Sequence, residues 1–137
     1  MTPIIPYLIF PGTCREAMTF YQQCLGGDLS MAAFADMPGA DQLPEAVRGG
    51  IAHASLVNGA RTLMAYDDPH GSIVSGTAVS LSLACASVVE AERLFAALGQ
   101  GGTVLMPLAD QPWGAKFGML TDRYGIQWMV DYDYPQE

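Results

Sequence analysis

Hydrophobic and polar positions along the chain change their period in the same order twice. Ile4 to Phe10 is rich in β-branched and aromatic side chains and stops at Pro11-Gly12, which predicts a strand. Thr13 then stands where it can cap a helix, and Ala17, Met18, Phe20, Tyr21 and Leu25 recur at spacings of three and four, the apolar stripe of an amphipathic helix that ends at Gly26-Gly27. Asp28 to Phe34 predicts a second strand, and the Pro-, Gly- and Asp-rich run from Asp36 to Gly50 a long mobile loop. Ile51–Val57 and Thr62–Tyr66 flank Asn58-Gly59, a pair that tolerates positive φ in a tight turn, so they are expected to pair antiparallel.

After a polar connection from Asp67 to Gly76, the pattern repeats. Ala78 to Ala84 predicts a strand. Ser87 caps a helix carrying Val88, Ala91, Leu94, Phe95 and Leu98, which Gly99 to Gly102 ends. Thr103–Leu108, Ala115–Thr121 and Ile126–Tyr132 follow as strands, the last two joined by Asp122-Arg-Tyr-Gly125. The chain therefore reads as α+β: two tandem βαβββ modules, residues 1–68 and 76–134, within one domain. A curved sheet with both helices on its outer face would leave a concave inner face for a ligand.

Composition narrows the function class. Half of the 137 residues are hydrophobic, enough for a sizeable core. Fourteen acidic against six basic side chains give a formal charge of -8, and no basic run occurs, so no nucleic-acid partner is expected. Gly, Pro and Ser interrupt every apolar stretch short of the roughly 20 residues a membrane-crossing helix needs. The first residues lack a charged region followed by an apolar one. A cytoplasmic protein with no membrane partner is expected. Cys14, Cys24 and Cys85 are odd in number and far from C-x-x-C or zinc-knuckle spacing, which fits small buried hydrophobes. Cys14 sits near a helix start, a place where a thiol pKa can fall, but no base accompanies it. Gly99-Gln-Gly-Gly102 follows a helix, whereas phosphate-cradling glycines follow a strand, and no Gly-x-Ser-x-Gly elbow occurs.

Ala17-x-x-Phe20-Tyr21-x-x-x-Leu25-Gly-Gly27, His53-Ala-Ser-Leu56 with Asn58-Gly59 and Leu63-Met64-Ala65, Ala91-Glu92-x-x-Phe95-x-x-Leu98, Gly101-Gly-Thr-Val104, Trp113-Gly114, Phe117-Gly-Met119, Asp122-x-x-Gly125 and Trp128-Met129 cover nearly the whole chain. Together they resemble the PhnB-like branch of the vicinal oxygen chelate superfamily of glyoxalases, bleomycin-resistance proteins and extradiol dioxygenases. The resemblance implies a mixed sheet of this βαβββ type and a homodimer, and relatives of the branch carry methyltransferase-like and phosphonate-related labels. It also implies that metal-dependent relatives hold a divalent ion with His and Glu from the first, fourth, fifth and eighth strands. In this chain those positions fall near Pro6, Met64, Ala78 and Met129, none of which supplies an imidazole or carboxylate. No metal and no other cofactor is therefore expected.

The candidate pocket residues are Phe10, His53, Met64, Tyr66, Trp113 and Met129. His53 lies in an apolar strand, where alternation puts it on the face of Ile51 and Ser55. It can bind a ligand or move a proton, or serve as a hydrogen-bonded structural residue. Trp113 is a candidate for a pocket rim or dimer contact, Trp128 for the core. Met37, Met64, Met119 and Met129 suit either a soft cavity wall or core packing. Asp67-Asp68-Pro69-His70 can hold a cation weakly or simply form a solvated acidic loop. The leading expectation is a metal-independent protein that binds a small apolar or aromatic molecule. The alternatives are an enzyme of the superfamily using His53 or a noncanonically bound divalent ion, and a regulatory interaction module.

Overall fold

In the computed structural model, residues 2–70 and 72–136 are described. Gly71, a glycine of the expected connection, lies outside them. The chain divides into two compact units, Met1–Val74 and Ser75–Glu137, at a boundary inside that connection.

The first unit runs β1 (Tyr7–Phe10), α1 (Cys14–Leu25), β2 (Asp28–Ala33), α2 (Glu45–Arg48), β3 (Ile51–Asn58) and β4 (Arg61–Asp67). Its four strands form a mixed sheet in the order β1-β4-β3-β2, with β1 parallel to β4 and the other pairs antiparallel. The second unit repeats the plan with β5 (Leu81–Ala84), α3 (Val88–Leu98), β6 (Thr103–Gln111), β7 (Ala115–Thr121) and β8 (Gln127–Asp133), in the order β5-β8-β7-β6. The expected βαβββ repeat is present, and its hydrogen bonding forms two four-stranded mixed sheets, one in each unit.

Each unit buries one face of its sheet under its long helix. Ala17, Met18, Phe20 and Tyr21 of α1 are buried with Phe10, Ala54, Leu56, Leu63 and Ala65. Ala91, Leu94 and Leu98 of α3 are buried with Leu120, Trp128 and Val130. Fully burying one such side chain is worth about 2 kcal/mol. The opposite face of each sheet, its open face, carries half-exposed and exposed residues.

Several boundaries differ from the sequence reading, each for a local reason. β1 starts at Tyr7 because Pro6 has no N–H; only its carbonyl joins the ladder, accepting the Met64 amide at 3.0 Å. The β3–β4 turn lies one residue later than expected: Asn58 pairs with Arg61, so Gly59 and Ala60 make the turn, Gly59 at φ +61°. β5 starts at Leu81, beyond Ala78. The Gln127 amide donates to the carbonyls of Gly76 and Val79, holding the residues before β5 outside the ladder. β6 runs on to Gln111 because register shifts on either side of Met106 admit Pro107. The expected long loop contains helical turns, at Phe34–Asp36 and Ala40–Gln42, and the short α2. The Phe34 amide closes it on the Gly50 carbonyl at 2.9 Å.

Helix capping divides in the same way. Ser87 caps α3 as expected, its hydroxyl accepting the Glu90 amide at 3.1 Å, while the Glu90 carboxylate accepts the Ala86 amide. Thr13 makes no side-chain cap. The start of α1 is held instead by Asp67, whose Oδ1 accepts the amides of Gly12 at 3.0 Å and Cys14 at 2.9 Å.

Candidate functional site

In the first unit, alternation along three neighbouring strands brings one polar and aromatic group together. On β1, Tyr7 and Ile9 point to the open face, with Tyr7 47% exposed, while Phe10 is turned into the core at 1%. Parallel pairing sets Tyr7 beside Met64, and antiparallel pairing sets Met64 beside Ser55. Met64, Tyr66, His53 and Ser55 are all half-buried. The Tyr7 hydroxyl lies 2.7 Å from His53 Nδ1. The Tyr7 ring meets Tyr66 edge-on, at 5.7 Å between centroids and 67° between planes. Among the described residues, His53 Nε2 has no protein partner.

His53 does share a face with Ser55, but Ile51 is on the other side of the sheet. Ala32 pairs with His53 and Ala33 with Ile51, so Ala52 is an extra residue in β3. This bulge flips the phase, and Ile51 is buried at 1%. Of the candidate residues, the structure groups His53, Met64 and Tyr66 and adds Tyr7; Phe10 belongs to the helix-covered core. Tyr7 could have been found from the sequence, since its two-residue offset from Ile9 matches that of Met64 and Tyr66 on the partner strand.

On the open face of the second unit, Met129 lies between Ser82 on β5 and Met119 on β7. The strand-five residue beside Met129 is thus Ser82, not Ala78. Tyr7, Met64, Ser82 and Met129 offer hydroxyls and thioethers, and among the described residues no three His, Cys, Asp or Glu side chains come together as a metal-binding group. Trp113 lies in the β6–β7 turn, 62% exposed, its ring 6.1 Å from Phe117. Trp128 is buried, with its indole N–H donating to Asp122 Oδ2 at 2.8 Å.

Two residues on from Met129, Asp131 lies between Ala84 and Phe117. Burial, then a hydrogen bond with Asp133 and the charge of that neighbour, raise its carboxyl pKa above the ordinary aspartate value. A carboxyl raised by folding favours the native state while protonated. Its contribution is present below the ordinary aspartate pKa and is lost as pH rises through the raised value. Asp131→Asn is therefore expected to be more stable than the parent at neutral pH, by less than about 1 kcal/mol at so partly exposed a position. The gap should close in acid, and urea midpoints measured at the two pH values test this.

The Asp67-Asp68-Pro69-His70 cluster is occupied by its own backbone. Asp67 Oδ2 accepts the Ile51 amide at 2.8 Å in addition to the α1 contacts. Asp68 accepts the amides of Ser72 and His70, which lower its pKa in that order. His70 is exposed at the rim of a cavity of about 280 Å³ that also touches Phe34, Val47 and Asp67 and none of the six candidate pocket residues. Cys14 has the opposite of a reactive thiol's setting: burial, then the Asp67 carboxylate, push its pKa up to about 12.

Residues 2–131 match the family described as 3-demethylubiquinone-9 3-methyltransferase. The chain belongs to that PhnB-like family. This PhnB-like chain is similar to protein PA1353 from Pseudomonas aeruginosa, with 46% identity, 98% of this chain and 100% of that one covered, and a TM-score of 0.86. It is also similar to the PhnB protein from Bacillus cereus, at 29% identity over 96% and 99% of the chains with a TM-score of 0.75. A glyoxalase/bleomycin resistance protein/dioxygenase from Nocardioides shares the fold, at 22% identity over 100% of this chain and 87% of that one with a TM-score of 0.61. No helix of the described residues of the PhnB-like chain is long and apolar enough to cross a membrane.

Proposed function

We propose that this chain binds a small aromatic molecule without a metal ion, on the open face formed by Tyr7, His53, Met64 and Tyr66. The observation that carries the reading is the Tyr7–His53 hydrogen bond at 2.7 Å beside an edge-on Tyr7–Tyr66 pair: two aromatic surfaces and one polar anchor on a sheet face left open by α1. The residue types on this face of the first unit, Tyr7, His53, Met64 and Tyr66, include a single imidazole and no carboxylate, which supports a site that works without a divalent ion. Methyl transfer would require a bound methyl donor, and the strand-to-helix turns do not fit a nucleotide-bearing one. The amides of Gly12 and Cys14 at the start of α1 are committed to Asp67, and the β5–α3 turn, Cys85-Ala86-Ser87, has no glycine.

A second copy of the chain is the proposed partner. Ile4, Val74 and Val79 are 97%, 91% and 76% exposed, and large apolar side chains so placed suit coverage by another subunit. A native mass spectrum tests both parts. The expected species is a metal-free dimer, with or without an organic passenger, whose melting temperature rises by several degrees with a saturating aromatic ligand. A stoichiometric metal, or no response across a broad aromatic set, would count against the reading. The same Tyr7–His53 bond also suits acid–base catalysis. A compound that is chemically altered by the protein, and no longer altered by a folded His53→Ala variant, would replace binding with that activity.

A further inference from the structure

We infer that Tyr7 fixes the tautomer of His53, so that the open face presents the imidazole Nε2–H to an acceptor oxygen on the ligand. This deepens the proposed function and rests on it. A phenol O–H is a stronger hydrogen-bond donor than a neutral imidazole N–H, and a neutral imidazole has one donor and one acceptor nitrogen. With the Tyr7 oxygen 2.7 Å from Nδ1, the favoured polarity has the phenol donating and Nδ1 accepting. The ring proton then belongs on Nε2. That nitrogen is free of protein partners among the described residues.

Neighbouring groups select the rest of the ligand. Tyr7 is braced by the Tyr66 ring edge and is tilted 52° to the imidazole at 5.9 Å between centroids, so the donor sits beside ring surface. Met64 and Tyr66 on β4 add thioether and aromatic contact on the same face. A donor beside flat apolar surface selects an aryl ketone, aryl carboxylate or quinone-like oxygen over a plain aromatic hydrocarbon. Tyr7 is a positioning residue in this arrangement: it acts on the ligand through the imidazole, by holding the proton on the outward nitrogen.

The test needs no knowledge of the natural ligand. Long-range proton–nitrogen NMR on the intact, uniformly labelled protein distinguishes the two neutral tautomers directly. The expected spectrum shows a protonated Nε2 and a bare Nδ1 for His53. Acetophenone and ethylbenzene, nearly isosteric and differing in one acceptor oxygen, are then titrated in parallel while the Tyr7, His53 and Tyr66 signals are followed. Acetophenone should bind about fivefold more tightly, the value of one net hydrogen bond, and Tyr7→Phe should shrink that preference to within about twofold while the tautomer signal shifts. A bare Nε2 overturns the inference and leaves the binding face standing. Equal affinity for the two probes does the same. If neither probe moves these signals, the face itself fails as a binding site, and the inference falls with it. A Tyr7→Phe variant that keeps both the tautomer and the preference also overturns it, because the bond would then not set the proton's place.

Discussion

Asp67→Ala is expected to cost on the order of 3–5 kcal/mol of folding stability, enough to leave the first unit largely unfolded at 37 °C. The carboxylate is only 4% exposed and accepts the Gly12, Cys14 and Ile51 amides at 3.0, 2.9 and 2.8 Å. Removing it strands buried donors, each costing about 1–3 kcal/mol when left unsatisfied. It also removes the anion at the start of α1, where the helix dipole favours negative charge. Asp67→Asn should fall between, since its carbonyl can keep Gly12 and Cys14 while its amide meets the Ile51 N–H. Urea unfolding followed by circular dichroism decides the matter; a loss below about 1 kcal/mol for the alanine variant would show that water replaces the carboxylate without penalty.

Gly118→Ala should be the most costly single methyl on β7, at about 1–3 kcal/mol. A Cβ there would lie 2.6 Å from Phe95 Cε1 and 2.8 Å from Leu108 Cα, between the α3 ring and the β6 backbone. The ring can rotate away, but the Leu108 backbone belongs to the edge strand and can move only by deforming the bulged pairing with β7. Gly76→Ala, whose Cβ would meet nothing within 4 Å, is the control and should stay within about 0.5 kcal/mol. Equal urea midpoints for the two variants would contradict the close approach.

The glycine of Phe117-Gly-Met119 was visible in the chain as a motif, yet its reason was not, because the atoms that exclude a side chain come from Phe95 and Leu108. The same division runs through the fold. Signals carried by neighbours in sequence are legible: the α1 stripe, the Ser87 cap, the β3–β4 hairpin to within one residue of its turn, and the Asp122–Gly125 turn. Signals carried by residues far apart are not. Thr13 looked like the cap of α1, while the acceptor used comes from the end of β4. His53 stands out in the sequence, but its face depends on the bulge at Ala52, and its Tyr7 partner lies 46 positions away. Phe10 is a pocket candidate in the sequence, but strand phase turns it inward.

Asp67 also sets an order of events. Its bonds to Cys14 and Gly12 join positions 53 and 55 residues apart, and closing loops of that length costs entropy that early, local structure does not repay. The carboxylate can reach both amides only once β1 lies against β4, so it acts as a latch on a sheet already assembled. Loss of the latch should therefore appear in stopped-flow traces mainly as faster unfolding, with the refolding rate little changed. For the working protein this means a lifetime, and not merely an equilibrium, hangs on one side chain: the first unit opens as often as Asp67 lets go.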